Sequence, residues 1–376
     1  MKELPKNWKI MDFDDCIKSD SVPSKIKIKL SNYKEPGRYP IIDQGKKFIA
    51  GYSDDISKVF PFKGETVIFG DHTRIVKYVN FPFCVGADGT KVLIVKDDII
   101  IPKFFYFQLK QLNIKEAGYS RHYRFLKKRK IIVPPINVQK QIVTILERAE
   151  KLKESRKHVN EETNKIIQSI FYEMFGTPSR NKKRFPIESL NELCSIQSGG
   201  TPSRNKKEYW ENGTIPWLSS TVCKNGIVKQ AEEYITEAGL KNSSAKWFKE
   251  CTVLIALVGA TIGKTAFLKF RATCNQNIAG LYPKNLSNLN SSYLFYACQN
   301  LYPEFLSLSS NSFKMANLTF IRNLRIPVPP IELQNQFASI AEKIESMKNK
   351  QQKSTEEINQ LYNALMQKAF NGELVN

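Results

Sequence analysis

The residues that look most like a catalytic device are "GATIGKT", Gly259 to Thr265. A glycine-rich turn ending in Gly-Lys-Thr wraps phosphates with backbone amides, but that loop needs four residues between its first Gly and the Gly-Lys-Thr. Here only three stand between them, and no acidic strand follows in a parallel α/β pattern. The segment reads instead as a turn between two strands with Lys264 exposed. "FGDHTR", Phe69 to Arg74, sets Asp71 beside His72 without a nucleophile or metal partner nearby, the usual mark of a turn with a local hydrogen bond. The seven cysteines, at 16, 84, 194, 223, 251, 274 and 298, form no C-x-x-C pair, and none of the three histidines stands near one. That pattern suits reduced thiols and excludes an obvious zinc site. There is no Asn-Pro-Pro-aromatic tetrad and no glycine-rich cofactor loop after a strand, so methyl transfer has no visible machinery either.

Polar and basic loops recur where catalytic strings do not. Lys and Arg number 57 against 36 Asp and Glu, a formal charge of +21 on 376 residues. Such an excess points to a polyanionic partner, most often nucleic acid. Asn and Gln suit adenine edges, Arg and Lys suit guanine or phosphate, and Ser and Thr suit either. The loop residues fitted for this are Lys46, His72, Arg74, Arg121, His122 and Arg124 in the first half of the chain. In the second half they are Arg204, Ser219, Lys264, Asn275, Gln276, Asn277 and Lys314. No apolar run approaches the roughly 20 residues of a membrane helix, and the first ten residues lack the apolar core of a signal peptide. The expectation is a cytoplasmic protein.

Two similar elements must position these loops. "IIVPPINVQKQIVTI" from Ile131 returns as "IPVPPIELQNQFASI" from Ile326, with the Pro-Pro pairs 195 residues apart. Pro-Pro closes what precedes it, and a long stretch of three-and-four spacing follows each pair. The expected seams are Ile142, Ile145, Ala149, Leu152, Val159, Thr163, Ile166 and Ile170, and then Phe337, Ile340, Ile344, Met347, Ser354, Ile358, Leu361 and Leu365. Asn137 is a candidate N-cap, and Gly176 and Gly372 are candidate left-handed stops. A helix from Asn137 to Phe175 would be about 58 Å long. Its economical partner is its own copy, paired antiparallel; the rival is a helix of another subunit. The blocks before the helices alternate short apolar runs with Gly, Pro, Asn and Asp, with helices near "FFYFQLKQL" and "SSYLFYACQNL", and so read as α+β.

With these features together, the chain resembles the specificity (S) subunits of type I restriction-modification systems, the HsdS family. The twin "VPPI" helix openings, "SGGTPSRNKKEYW" with "IPWLSS", "VGATIGKT" and the terminal "AFNGEL" carry the resemblance, which covers nearly the whole chain. The first block departs from the pattern in lacking "GGTP" and in having "FGDHTRIVKYV" where a Gly-x-x-Gly-type segment is usual. The resemblance implies an α+β chain with a target-recognition domain at 1–135, a helical spacer at 136–178, a second recognition domain at 179–330 and a second spacer at 331–376. It implies a non-catalytic subunit that reads a bipartite double-stranded DNA target, one domain per half-site. It also implies docking of modification (methyltransferase) subunits, two of them expected, and of a restriction (motor-nuclease) subunit. No cofactor is expected in this chain; S-adenosylmethionine, ATP and Mg2+ would belong to the partners. The competing readings are a coiled-coil scaffold with two protein-binding domains and a stand-alone NTPase or nuclease.

Overall fold

The computed structural model describes residues 4–61, 64–87, 89–112, 114, 121–176, 181, 183–307 and 315–375. It divides into two compact units, residues 1–158 with 352–376, and residues 159–351.

The first unit contains β1 (Lys9–Asp12), α1 (Phe13–Cys16), β2 (Ile17–Ser19), β3 (Tyr39–Ile42), β4 (Gly51–Ser53), β5 (Thr66–Gly70), β6 (Val76–Val79), β7 (Cys84–Val85), β8 (Thr90–Val95), α2 (Pro102–Gln111), α3 (Tyr123–Leu126), β9 (Lys130–Val133) and the start of α4 (Ile136–Phe175). Strands β2-β8-β5-β6 form one sheet and β4-β3-β7 another, while β1 pairs antiparallel with β9 so that Lys9 faces Val133. All five residues of β5 are buried, as expected of a strand paired on both sides, with β6 and with β8.

The second unit repeats this plan. It contains the end of α4, then β10 (Ile187–Ser189), α5 (Leu190–Leu193), β11 (Cys194–Ser198), β12 (Ile215–Leu218), β13 (Gly226–Val228), β14 (Glu233–Ile235), α6 (Glu237–Lys241), β15 (Trp247–Phe248), β16 (Val253–Ala256), β17 (Thr265–Leu268), β18 (Ala272–Cys274), β19 (Ile278–Pro283), α7 (Ser291–Gln299), α8 (Tyr302–Ser307), α9 (Leu318–Asn323), β20 (Arg325–Pro327) and the start of α10 (Ile331–Phe370). The sheet β11-β19-β16-β17 has the order of β2-β8-β5-β6 with β13 added at its edge. The sheet β14-β12-β18 has the order of β4-β3-β7 with β15 added. Even the parallel pairings agree, β3 with β7 and β12 with β18.

The long helices are core elements of both units. In the first, Ile142, Leu146 and Ala149 of α4 share a core with Phe104, Phe105, Phe107 and with Tyr362, Met366, Ala369 and Phe370 of α10. In the second, Ile167, Phe171 and Phe175 of α4 join Phe337, Ala341 and Ile344 of α10 around Tyr293. The beginning of α4 thus shares its core with the end of α10, and the end of α4 with the beginning of α10, which is an antiparallel pairing within one chain. The buried row is not the expected one along its whole length. Leu152, Val159 and Ile166 are 46, 44 and 44% exposed, and Met347 and Leu361 are 53 and 49% exposed. In the row that packs, the expected Ile142, Ala149, Thr163, Phe337 and Ile344 stay buried, while Leu146, Ile167, Ala341 and Tyr362 are more deeply buried than their expected neighbours Ile145, Ile166, Ile340 and Leu361. Where it runs polar, the Gln351 amide donates to Thr163 Oγ1 at 3.0 Å.

The twin Pro-Pro-Ile-x-x-Gln openings have one physical role. Helix α4 already begins at Ile136, so Asn137 lies inside the first turn and does not cap it. The third residue after the opening isoleucine in each copy, Gln139 or Gln334, is fully buried. Gln139 accepts from Ile101 N–H at 2.8 Å and donates to the carbonyls of Ile99 and Pro134 at 3.0 and 2.8 Å. Gln334 accepts from Asn290 N–H at 2.8 Å and donates to the carbonyls of Asn288 and Pro329 at 3.0 and 2.7 Å. Each glutamine ties the start of a long helix to the segment that launches α2 or α7. At the other ends, Gly176 and Gly372 adopt φ of 76° and 74°, the left-handed stops expected of them.

Candidate nucleic-acid interface

In the first unit, three segments converge at the ends of strands. They are the β3–β4 loop from Asp43, the β5–β6 turn from Asp71, and the approach to α3. The Gln44 side-chain oxygen accepts from His72 N–H at 3.0 Å, and the Gln44 carbonyl accepts from Thr73 Oγ1 at 2.6 Å. Asp71 is buried, and its carboxylate accepts from Tyr123 N–H at 2.8 Å while its carbonyl accepts from His122 N–H at 2.8 Å. The segments that carry Lys46, His72, Arg74 and Arg121 are therefore tied to one another although distant in sequence. Lys46 and Arg121 are exposed, His72 is half-buried, and Arg74 is held at φ 61° while donating to the Ile114 carbonyl at 3.1 Å. Arg124 is exposed on α3, its guanidinium 4.7 Å from the Phe125 ring centre.

His122 is not placed for base contact. It is 1% exposed, and its Nδ1 lies 3.0 Å from the Asp71 carbonyl. A carbonyl only accepts, so that nitrogen carries the proton, and the ring serves to fasten the β5–β6 turn. Asp71 acts on the backbone amides of His122 and Tyr123, so these hydrogen bonds join distant segments, whereas the sequence suggests a local bond within the turn.

In the second unit, the loops after β11, β12, β16 and β18 converge in the same way. Gly200 N–H donates to the Cys274 carbonyl at 2.8 Å, Trp217 Nε1–H donates to the Gly200 carbonyl at 3.1 Å, and Asn275 N–H donates to the Leu218 carbonyl at 2.9 Å. Thr201 Oγ1 donates to Gln276 Oε1 at 2.6 Å. A Cβ on Gly199 would run into the carbonyl of Cys274, so Gly199 is what lets this loop lie against β18, while Gly200 allows the close approach of Ser244. Gln276 is exposed and Asn277 half-buried, whereas Asn275 is 8% exposed and its Oδ1 accepts from Asn277 N–H at 3.1 Å, shaping the turn. Ser219 is half-buried and shares a 2.6 Å hydrogen bond with Thr221. Arg204 is exposed yet already engaged: its guanidinium lies 3.6 Å from the Trp210 ring centre and 2.6 Å from Glu233 Oε2. Lys264 is half-buried rather than exposed, and strand β17 follows the "GATIGKT" turn where a phosphate loop would need a helix. Lys314 lies outside the described residues.

Sequence reasoning passed over Lys77. Its side chain is 4% exposed, and its ammonium donates to the carbonyls of Asp43, Lys47 and Phe48 at 2.7, 2.6 and 3.4 Å, with Asp43 Oδ1 at 3.6 Å. Burial pulls its pKa below the usual lysine value, and the Asp43 carboxylate opposes that shift. The signal was present in the alternation of β6, where Lys77 occupies the same buried side as Val79.

Twin α+β domains carrying polar, basic loops at their strand ends, on a chain of charge +21, define a protein built to engage a polyanion. The model of the "Type I restriction modification DNA specificity domain" matches residues 5–165 and again residues 183–360. The chain is 27% identical over 345 residues to the EcoR124I/EcoR124II specificity subunit of Escherichia coli, covering 87% of this chain and 84% of that one. It is 23% identical over 420 residues to the MjaIX specificity subunit of Methanocaldococcus jannaschii, covering 99% and 94%. Among solved structures, the type I S subunit from M. genitalium matches with a TM-score of 0.62 at 17% identity, over 98% of this chain and 97% of that one. A chain from a structure addressing complex assembly and conformational transition of the type I system matches with a TM-score of 0.59 at 18% identity, over 100% of both.

The chain belongs to the type I restriction-modification DNA specificity family, the HsdS subunits. In this family the subunit supplies specificity, and catalysis is carried by partner subunits. Among the described residues, no helix is long and apolar enough to cross a membrane.

Proposed function

We propose that this subunit reads a bipartite DNA sequence, one half-site per recognition domain, on behalf of methyltransferase and restriction subunits that dock on it. The observation that carries this reading is the duplication itself. Two domains share strand order, parallel pairing and a buried glutamine at the helix start, yet differ in the loops at their strand ends. A repeated scaffold with dissimilar loops suits two different half-sites. The lysine and arginine excess supplies the phosphate attraction on which such binding depends. Helices of 40 residues, about 60 Å each, are long enough to relate half-sites one DNA turn of about 34 Å apart. Two modification subunits, joined by restriction (motor-nuclease) activity from a further partner, would complete the complex in the cytoplasm. S-adenosylmethionine, ATP and Mg2+ would be bound by those partners.

Methylation mapping of the host genome with and without this gene tests the reading. The expected result is one gapped motif, its halves about one helical turn apart, that vanishes with the gene. A methylome that does not change, in cells where the partner genes are expressed, would overturn it.

A further inference from the structure

We propose that Lys77 is a positioning residue for the first half-site: it fixes the path of the β3–β4 loop and so sets where Lys46 meets DNA. The inference rests on the reading above that the first domain recognises one half-site. Residues Asp43 to Ala50 leave the buried end of β3 and return to β4, with Lys46, Lys47 and Phe48 exposed at the turn. Lys77 reaches this loop from β6, a strand of the other sheet. Its ammonium takes one carbonyl before Lys46, that of Asp43, and two after it, those of Lys47 and Phe48. A loop held on both sides of its exposed lysine by one cation has little freedom to relocate that lysine. Asp43 adds a second constraint, because its Oδ1 accepts from Gly45 N–H at 2.8 Å while lying near the Lys77 ammonium.

A buried ammonium is retained only where its partners replace the lost water. Holding the loop from the surface would need no such burial, so the position of Lys77 argues for a fixed loop shape. The second domain anchors its corresponding β12–β14 connection from the strand matching β6, but with neutral groups. Asn225, at φ 59°, accepts from Thr265 N–H at 2.9 Å and donates its own N–H to the Thr265 carbonyl at 2.8 Å. Fixing this loop from that strand is thus a shared feature of the scaffold, and a charged anchor is peculiar to the first copy. Preorganised contact groups lose less on binding and discriminate better between bases.

The test is methylation mapping with the full complex carrying Lys77→Met, alongside a Lys46→Ala/Lys47→Ala double variant that touches only the exposed turn. For both, one half-site should lose discrimination at one or more base pairs by about tenfold or more, the range of a single good base contact. The other half-site and the gap should stay as they are. An unchanged motif with Lys77→Met, or equal weakening of both halves in an assembled complex, would overturn the inference. If Lys77→Met prevents assembly, the double variant decides: an unchanged half-site overturns the inference, and degeneracy confined to one half supports it. Failure of the proposed function is a separate outcome, in which the unaltered chain directs no gapped motif at all.

Discussion

The two recognition domains share their strands and differ in how their loops are held. In the first, a buried lysine on β6 gathers three carbonyls of the β3–β4 loop, and Asp71 with His122 pins the β5–β6 turn. In the second, Asn225 and Thr265 pair backbone to side chain, and the loop after β11 is fastened by Trp217, the Thr201–Gln276 bond and the stacked Arg204. Beneath both, Gln139 and Gln334 make the same three hydrogen bonds. What is common to the two copies is the junction of domain and helix. What differs lies where each domain would meet its own stretch of DNA.

That contrast can be sharpened by substitution. The largest effects should fall on the shared junction. Gln139→Ala or Gln334→Ala strands three backbone groups around a buried site, and each should cost about 3 kcal/mol by thermal or denaturant unfolding. Similar losses from both would support equivalent junctions, whereas a loss from only one would break the equivalence. Next comes Gly199→Ala, which pushes a methyl group into the Cys274 carbonyl and should cost about 2 kcal/mol. Its DNA-reading defect should be confined to one half-site. The smallest effect should be that of Arg204→Ala, about 1 kcal/mol or less, because its ion pair with Glu233 is half exposed. Raising the salt concentration should shrink the Arg204 effect while leaving those of the glutamines intact.

Much of this architecture is legible in the sequence, because helices and their stops are local. The Pro-Pro pairs, the glycines at 176 and 372 and the three-and-four spacing mark both long helices, and their internal duplication points to the antiparallel pair. The places where the seam shifts were not legible. Leu152, Val159, Ile166, Met347 and Leu361 keep the heptad rhythm yet are exposed, while Leu146, Ile167, Ala341 and Tyr362, one position from expected seam residues, pack into the domain cores. Ile142, Ala149, Thr163, Phe337 and Ile344 are buried as expected. Site residues divide along the same line. Lys46, Arg121 and Gln276 are exposed loop groups and Arg124 is exposed on α3, as residue type suggests. His122 and Asn275 are buried by contacts that only the fold supplies: the His122 ring by the Asp71 carbonyl, 51 residues away, and the Asn275 backbone by the Leu218 carbonyl it donates to. Lys77 was missed for the opposite reason, since a lysine is read as a surface residue unless strand alternation is allowed to overrule its charge.

The central claim is that each domain reads its own half of the target. The most direct measurement replaces residues 1–135 with the corresponding block of a related specificity subunit and maps the methylated motif. The account predicts that one half of the motif changes to that of the donor, with the other half and the gap preserved. A hybrid that assembles but alters both halves, or neither, would contradict it.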